Sequence, residues 1–297
     1  MNLYKLKTKS KNGCKTMNSK ILKANYHTHT TFCDGNNSAE EMVIAAMEKG
    51  ISILGFSSHA MYPFAGDWHI GTEKYADYVN EINRLKEKYQ GQIKIYTGFE
   101  VEYMDGISIP CFDTYREFTP DYIIGSVHFV PGKGGYYEAD GSEISVKERI
   151  RKFFGGDIKK AVQEYFCCER KLLRDGDFTF LGHCDLVQKK NINSKLFDEN
   201  ESWYRKELKA LVKEIKKSGV CVEVNTGATC RCGASRPYPS PYLLELLKAN
   251  NVSVTISSDA HTAKGIDCWF DEAVQYIKKA GYTELAFYED GLKFQKI

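Results

Sequence analysis

Tyr26-His27-Thr28-His29 is the stretch from which the rest of the chain is read. It follows a short apolar run (Ile21, Leu22, Ala24) and precedes a polar loop, residues 30–37, that contains Asp34. Side chains alternate across a strand, so two histidines two apart at a strand end project from one face and both imidazoles reach one ion. A pair of hydrogen-bonded polar strand residues would show the same pattern. The decision therefore rests on whether other metal-competent residues recur at the ends of later strands.

They do. Downstream, Ser38-Ala39-Glu40-Glu41 reads as a capping box, with Met42, Ala45 and Ala46 on one helical face and Gly50 as the stop. Residues 51–56 form a second apolar strand running into Ser57-Ser58-His59. A loop with Trp68 and His69 leads to a helix over 72–90, given by the spacing of Tyr75, Val79, Ile82 and Leu85 and stopped at Gly91. Residues 93–97 are a third strand, running into Gly98-Phe99-Glu100, and 122–127 a fourth, leading to His128. The segment 132–156, rich in glycine and charge, reads as a long loop with one short helix. Residues 157–174 are helical, 178–181 a fifth strand ending at Gly182-His183, and 202–217 another helix closed by Gly219. Residues 220–224 make the sixth strand, ending at Asn225. Residues 252–256 make the seventh, ending at Ser257-Ser258-Asp259-Ala260-His261. A last helix spans 267–280, and the tail adds a short strand.

Seven strands alternating with helices predict an α/β fold with a parallel sheet. No glycine fingerprint follows the first strand, which favours a closed or nearly closed barrel over an open dinucleotide-binding sheet. No domain boundary is visible. In such barrels the active site lies at the C-terminal ends of the strands. Those ends carry His27, His29, His59, Glu100, His128, His183, Asp259 and His261, so six of the seven histidines fall on one rim. Imidazoles with carboxylates suit zinc, manganese or iron, and this many ligands exceeds the needs of one ion. One allocation gives a first ion His27, His29, Glu100 and Asp259. Glu100 then bridges to a second ion held by His128 and His183, and Asp34, His59 and His261 hold a third. Asp34 in Cys-Asp-Gly also fits a plain turn, and His183 a hydrogen-bonded core histidine. Glu102, on the strand face of Glu100, reads as a supporting or salt-bridging carboxylate rather than a ligand, and His69 as a loop residue.

A cluster of this kind performs hydrolysis: bound water ionises near neutral pH, and closely spaced ions hold phosphate oxygens during in-line attack. Glu100 and Asp259 are then catalytic as ligands of the ions holding the nucleophilic hydroxide. Composition excludes several other classes. Net charge is +2 with lysine and arginine spread along the chain, which gives no nucleic-acid or membrane surface. No run approaches the 18 or so apolar residues of a membrane span. The ten cysteines lie in a long chain with no signal peptide or paired CxxC spacing, and predict reduced thiols in a cytoplasm. Residues 1–20 hold six lysines, no acid and no apolar core segment, and read as a disordered basic tail ahead of a barrel over 21–297, with Met17 a candidate start.

The chain resembles the PHP (polymerase and histidinol phosphatase) superfamily, and within it the histidinol-phosphatase branch, over nearly its whole length from about Asn25. The resemblance is carried by Tyr26-His27-Thr28-His29 with Asp34-Gly35, Gly55-Phe56-Ser57-Ser58-His59-Ala60, Gly98-Phe99-Glu100-Val101-Glu102-Tyr103, Asp121-Tyr122-Ile123-Ile124-Gly125-Ser126-Val127-His128, Gly182-His183-Cys184-Asp185, Glu223-Val224-Asn225-Thr226 and Ser258-Asp259-Ala260-His261. It implies a distorted seven-stranded, TIM-like (β/α)7 barrel with three divalent metals on the same nine ligands. It also implies hydrolysis of L-histidinol phosphate to L-histidinol and phosphate, a step of histidine biosynthesis. Two departures stand out. Ser58 replaces the aspartate more usual before the histidine, and residues 227–239 differ from the usual wording although Tyr238-Pro239-Ser240 is kept. That loop is where an arginine is expected to meet the phosphate, with Arg231 the first candidate and Arg236 the second. The rival reading is a phosphoesterase of the same fold acting on a nucleotide or another small phosphate ester. A metal-dependent amidohydrolase also pairs an early HxH with a late aspartate, but usually needs a bridging lysine where Glu100 stands. A nucleic-acid-associated module lacks the basic, aromatic-interleaved stripe it would need.

Overall fold

The computed structural model describes residues 21–191 and 195–297. The basic segment 1–20, with its expected disorder and the candidate start at Met17, lies outside the described residues. The elements run in order as β1 (Ala24–Asn25), α1 (Ala39–Glu48), β2 (Ile53–Phe56), β3 (His59–Ala60), α2 (Tyr75–Lys88), β4 (Lys94–Glu102) and β5 (Tyr122–Ser126). Next come β6 (Phe129–Gly132), β7 (Gly135–Glu138), α3 (Glu143–Phe154), α4 (Ile158–Asp175), β8 (Phe180–Leu181), α5 (Ser202–Ser218) and β9 (Cys221–Asn225). The chain ends with α6 (Gly227–Cys232), α7 (Pro241–Ala249), β10 (Val254–Ser257), α8 (Phe270–Lys279), β11 (Glu284–Tyr288) and β12 (Leu292–Lys296).

The strands pair in the order β1-β2-β4-β5-β8-β9-β10, all parallel, with the short β3 also on β4. Just past β1 and β10 the ends meet: His29 N donates to Ala260 O at 2.9 Å and Ala260 N to His27 O at 3.2 Å. That bridge closes the seven-stranded ring and lays the HxH segment beside the Asp259 segment. The strands read as nearly continuous apolar runs because both faces are covered; Ile53, Leu54 and Phe56, for example, are all buried. Outside, the helices bury one stripe each. Helix α4 turns Ala161, Val162, Tyr165, Phe166, Cys168, Glu169, Leu172 and Leu173 inward, at helical spacing, and Asp157 caps its start by accepting from Lys160 N at 2.9 Å. The capping box of α1 is present, with Ser38 and Glu41 bonding each other's backbone N–H.

The N-terminal ends of the strands are plugged by aromatic rings. Tyr26, Tyr96, Tyr122 and Phe180 form a buried cluster with Tyr288 of the β11–β12 hairpin. The Tyr122 hydroxyl is placed to bond the carbonyls of Tyr26 (2.6 Å) and Phe56 (2.9 Å). Its side chain fits because Gly55 and Gly98 have none: a Cβ at Gly55 would lie 2.3 Å from the hydroxyl and one at Gly98 2.4 Å from the ring.

Several expected elements differ. Strand β4 runs on to Glu102, so Glu100 sits within it, paired with β3 and β5. The segment read as a long loop is the antiparallel hairpin β6–β7 followed by twelve-residue α3. Its turn is made by Gly134 at φ +79°, a conformation open to glycine without strain. Helices α6 and α7 were not anticipated. The reading of wholly reduced thiols fails at one pair, because Cys230 of α6 and Cys268 form a disulfide, with Cα atoms 6.2 Å apart. Folding brings them into bridging range from 38 positions apart in sequence. Cys33, Cys111, Cys167, Cys168, Cys184, Cys221 and Cys232 are free. Among the described residues no helix is long and apolar enough to cross a membrane.

Candidate metal centre

At the opposite, C-terminal rim the nine residues singled out from the sequence converge. Glu100, 1% exposed, occupies the middle and its two oxygens face different partners. Oε2 lies 3.0 Å from His27 Nε2, 2.8 Å from His59 Nδ1 and 3.6 Å from His29 Nε2. Oε1 lies 3.0 Å from His183 Nε2 and 3.8 Å from His128 Nε2. Asp259 Oδ1 is 3.2 Å from His29 Nε2 and 3.7 Å from His27 Nε2. At the outer edge, His261 Nε2 and His59 Nε2 lie 3.1 and 3.6 Å from the Asp34 carboxylate.

Three groups have donor atoms close enough to share an ion: His27, His29 and Asp259; Glu100, His128 and His183; and His29, Asp34, His59 and His261. The grouping differs from the expected allocation in two places: Glu100 groups with His128 and His183 and not with His27, His29 and Asp259, and His29 belongs to the first and third groups.

Carboxylates behind the histidines aim them. Glu223, buried in β9, accepts from His27 Nδ1 (2.8 Å), His183 N (2.8 Å), Ser257 Oγ (2.5 Å) and Asn225 Nδ2 (2.8 Å). Glu102 accepts from His128 Nδ1 (2.7 Å) and from the backbone N–H of His128 (2.8 Å) and Phe129 (3.2 Å). A carboxylate on one ring nitrogen fixes the ring so that the other faces the centre. Glu102 thus takes the supporting role anticipated for it. Glu223, quoted within the motif Glu223-Val224-Asn225-Thr226, was given no role in the sequence reading; its signal was a lone acid in the apolar run Cys221-Val222-Glu223-Val224.

The field of this pocket is anionic. Burial opposes charge on His27, yet Glu223, Glu100 and Asp259 hold its pKa well above the usual imidazole range. His128, likewise buried, is lifted by Glu102 to about 10. His29 lies well below the usual range because of burial and the neighbouring His261 and His59. Glu100 stays ionised despite burial because His27 and His59 face it. Buried His27 Nε2, His29 Nε2 and Glu100 Oε2 have no hydrogen-bond partner although they converge within 3.0 to 3.6 Å. Orphaned, convergent nitrogen and oxygen donors in an anionic pocket fit divalent transition ions.

Arg231, on α6, reaches this centre: Nη1 and Nη2 each lie 3.0 Å from an oxygen of Asp259, and Nη1 lies 2.6 Å from His261 Nδ1. Arg236 does not. Glu199 takes its guanidinium at 2.6 Å and Gln188 at 2.5 Å, in a neighbouring cavity. His69 is a loop residue whose Nδ1 accepts from Gly66 N at 3.2 Å. Ser58 Oγ is buried without a partner, so the departure from aspartate leaves no carboxylate there. The centre opens into a cleft of about 490 Å³ whose lining includes Trp68, Glu138, Asp140, Lys189, Lys190 and Arg231.

The PHP domain family matches residues 25–227, more than half of the chain. The chain belongs to the PHP domain family. Asp259 and His261 lie beyond that match, but the β10 closure carries them to the same rim. Among curated PHP relatives, the histidinol-phosphatase of Bacillus subtilis is 29% identical over 261 residues, covering 82% of this chain and 95% of that one. That of Lactococcus lactis subsp. lactis is 28% identical over 286 residues, covering 93% and 97%. Two solved structures share the fold. The Listeria monocytogenes protein hisK, a candidate histidinol phosphatase, superposes at TM-score 0.73, with 24% identity and 84% and 99% coverage. The Lactococcus lactis histidinol phosphate phosphatase, complexed with zinc, L-histidinol and phosphate, superposes at TM-score 0.65, with 21% identity and 91% and 98% coverage.

Proposed function

We propose that this PHP chain is a metal-dependent phosphomonoesterase that hydrolyses L-histidinol phosphate to L-histidinol and phosphate, with residues 21–297 acting as one barrel unit. The observation that carries the reading is buried Glu100, whose two oxygens face separate histidine sets, of which His59, His128 and His183 line one cleft. His27, His29, Asp34, His59, Glu100, His128, His183, Asp259 and His261 would hold three divalent ions, zinc, manganese or iron, with Glu100 and Asp259 closest to the chemistry. Such ions lower the pKa of bound water and take up charge developing on phosphoryl oxygens. Arg231 supplies a planar fork for those oxygens at the cleft wall, a geometry suited to phosphate. The relatives named above support the substrate, and a small-molecule ester fits a cleft of this size.

The test is phosphate release from a panel of monoesters (histidinol phosphate, sugar phosphates, nucleotides) by protein reloaded with zinc or manganese. The reading predicts a strong preference in kcat/KM for histidinol phosphate. A preference for nucleotides, or uniform weak turnover, would transfer the site to another ester.

A further inference from the structure

The cleft carries a charge that neither ion binding nor phosphate binding uses. Asp140 follows the β6–β7 hairpin, whose end is pinned beside the centre by Ala139 N donating to His128 O at 2.9 Å. Its carboxylate lies 3.1 Å from Lys189 Nζ, is 31% exposed, and lines the same cleft as His128, His183 and Arg231. It is in none of the three groups that could share an ion. Burial works against its charge, but Lys189 and His128 hold its pKa at about 2, so it is anionic at neutral pH.

An anion beside a phosphate site repels the substrate unless that substrate also brings a cation. L-Histidinol is an amino alcohol, and its phosphate ester has an ammonium on the carbon next to the one bearing the ester oxygen. Such a substrate is zwitterionic over a short span, as is the Lys189–Asp140 pair. Its phosphate attracts Lys189, and its ammonium replaces Lys189 on Asp140. The exchange leaves no charge unpaired.

We propose that Asp140 is a specificity-determining residue that receives the ammonium of a β-amino alcohol phosphate ester. The inference rests on the phosphatase reading above and assigns the residue that would recognise the ammonium of its substrate. Sugar phosphates and nucleotides carry no cation at that point, so Lys189 must be divided between Asp140 and the phosphate.

The experiment compares kcat/KM for histidinol phosphate and for the same ester lacking the amino group, in the metal-loaded wild type and in Asp140→Asn. The wild type is expected to favour the amine-bearing ester by about tenfold to a hundredfold, the usual range for one charge-assisted contact. Asp140→Asn should bring the ratio to within about threefold of unity. Freeing Lys189 changes both esters alike, so the ratio cancels it. A wild-type ratio near one, or a ratio kept by Asp140→Asn while both esters turn over, overturns the inference and leaves the phosphatase reading standing. No turnover of either ester by the wild type overturns that reading and the inference together.

Discussion

Glu223 is the residue whose removal best separates folding from ion binding. It is buried and does not line the cleft, yet it sets the His27 ring and accepts from the His183 backbone N–H. Glu223→Gln keeps the shape and loses the charge behind His27, so zinc affinity, measured by chelator competition, is expected to fall about tenfold to a hundredfold. Unchanged affinity would mean that the ring is held by packing alone. Arg231→Ala should mainly raise KM for phosphate esters, as expected of the phosphoryl contact proposed for it. A loss confined to kcat would assign it to the transition state instead. That the nine candidate residues share one rim was legible in the sequence because strand-end positions recur with the barrel repeat. Arg236 was misplaced because Glu199, 37 positions away in sequence, captures it, and no local pattern announces such a partner. Asp140 and Lys189 were invisible for the same reason: their pairing is purely tertiary.

At the scale of elements, β2, β4 and β5 meet around the Tyr122 ring. Gly98→Ala would put a Cβ 2.4 Å from that ring and force it off its carbonyl partners. The expected loss is about 3 kcal/mol, overpacking and a broken buried bond together, read from the urea midpoint. An unmoved midpoint would show that the aromatic plug is loose. Helix α4 supplies a pH-dependent term. Glu169 is fully buried, its Oε1 accepts from Tyr165 at 2.6 Å, and its Oε2 has no partner. Burial raises its pKa well above the usual carboxylate value. The folded state therefore binds a proton that the unfolded state gives up above about pH 4.3. Stability from this group is full at low pH and declines as pH rises toward the folded pKa. Glu169→Gln should flatten the decline in urea midpoint between mildly acidic and mildly alkaline pH. An identical slope in wild type and variant would place the titration elsewhere. The hairpin β6–β7 was hidden because its glycines and Lys133 mask a two-strand pattern of only four residues each.

For the whole molecule, the order and parallel sense of the seven strands followed from alternation alone. Closure did not, since it depends on two backbone bonds between segments more than 230 positions apart, His29 to Ala260 and Ala260 to His27. The Cys230–Cys268 disulfide adds a covalent tie between α6, which carries Arg231, and the segment leading to α8, closing a span of 38 positions. Chain entropy gives such a loop about 4 kcal/mol. A thiol reductant should accordingly lower the Tm by several degrees in the wild type but not in Cys268→Ser, and an equal response in both would mean that the tie adds nothing.

Divalent ions held by the rim residues would carry the chemistry of this barrel. The most direct measurement is bound metal together with phosphate release from histidinol phosphate, after chelator stripping and zinc or manganese reloading, in the wild type and in Asp259→Asn. About three ions per chain are expected in the reloaded wild type, with no turnover when stripped. Asp259→Asn should be folded, hold fewer ions and stay inactive after reloading. Full turnover by the stripped wild type, or by Asp259→Asn, would mean that the rim residues do not act through bound ions.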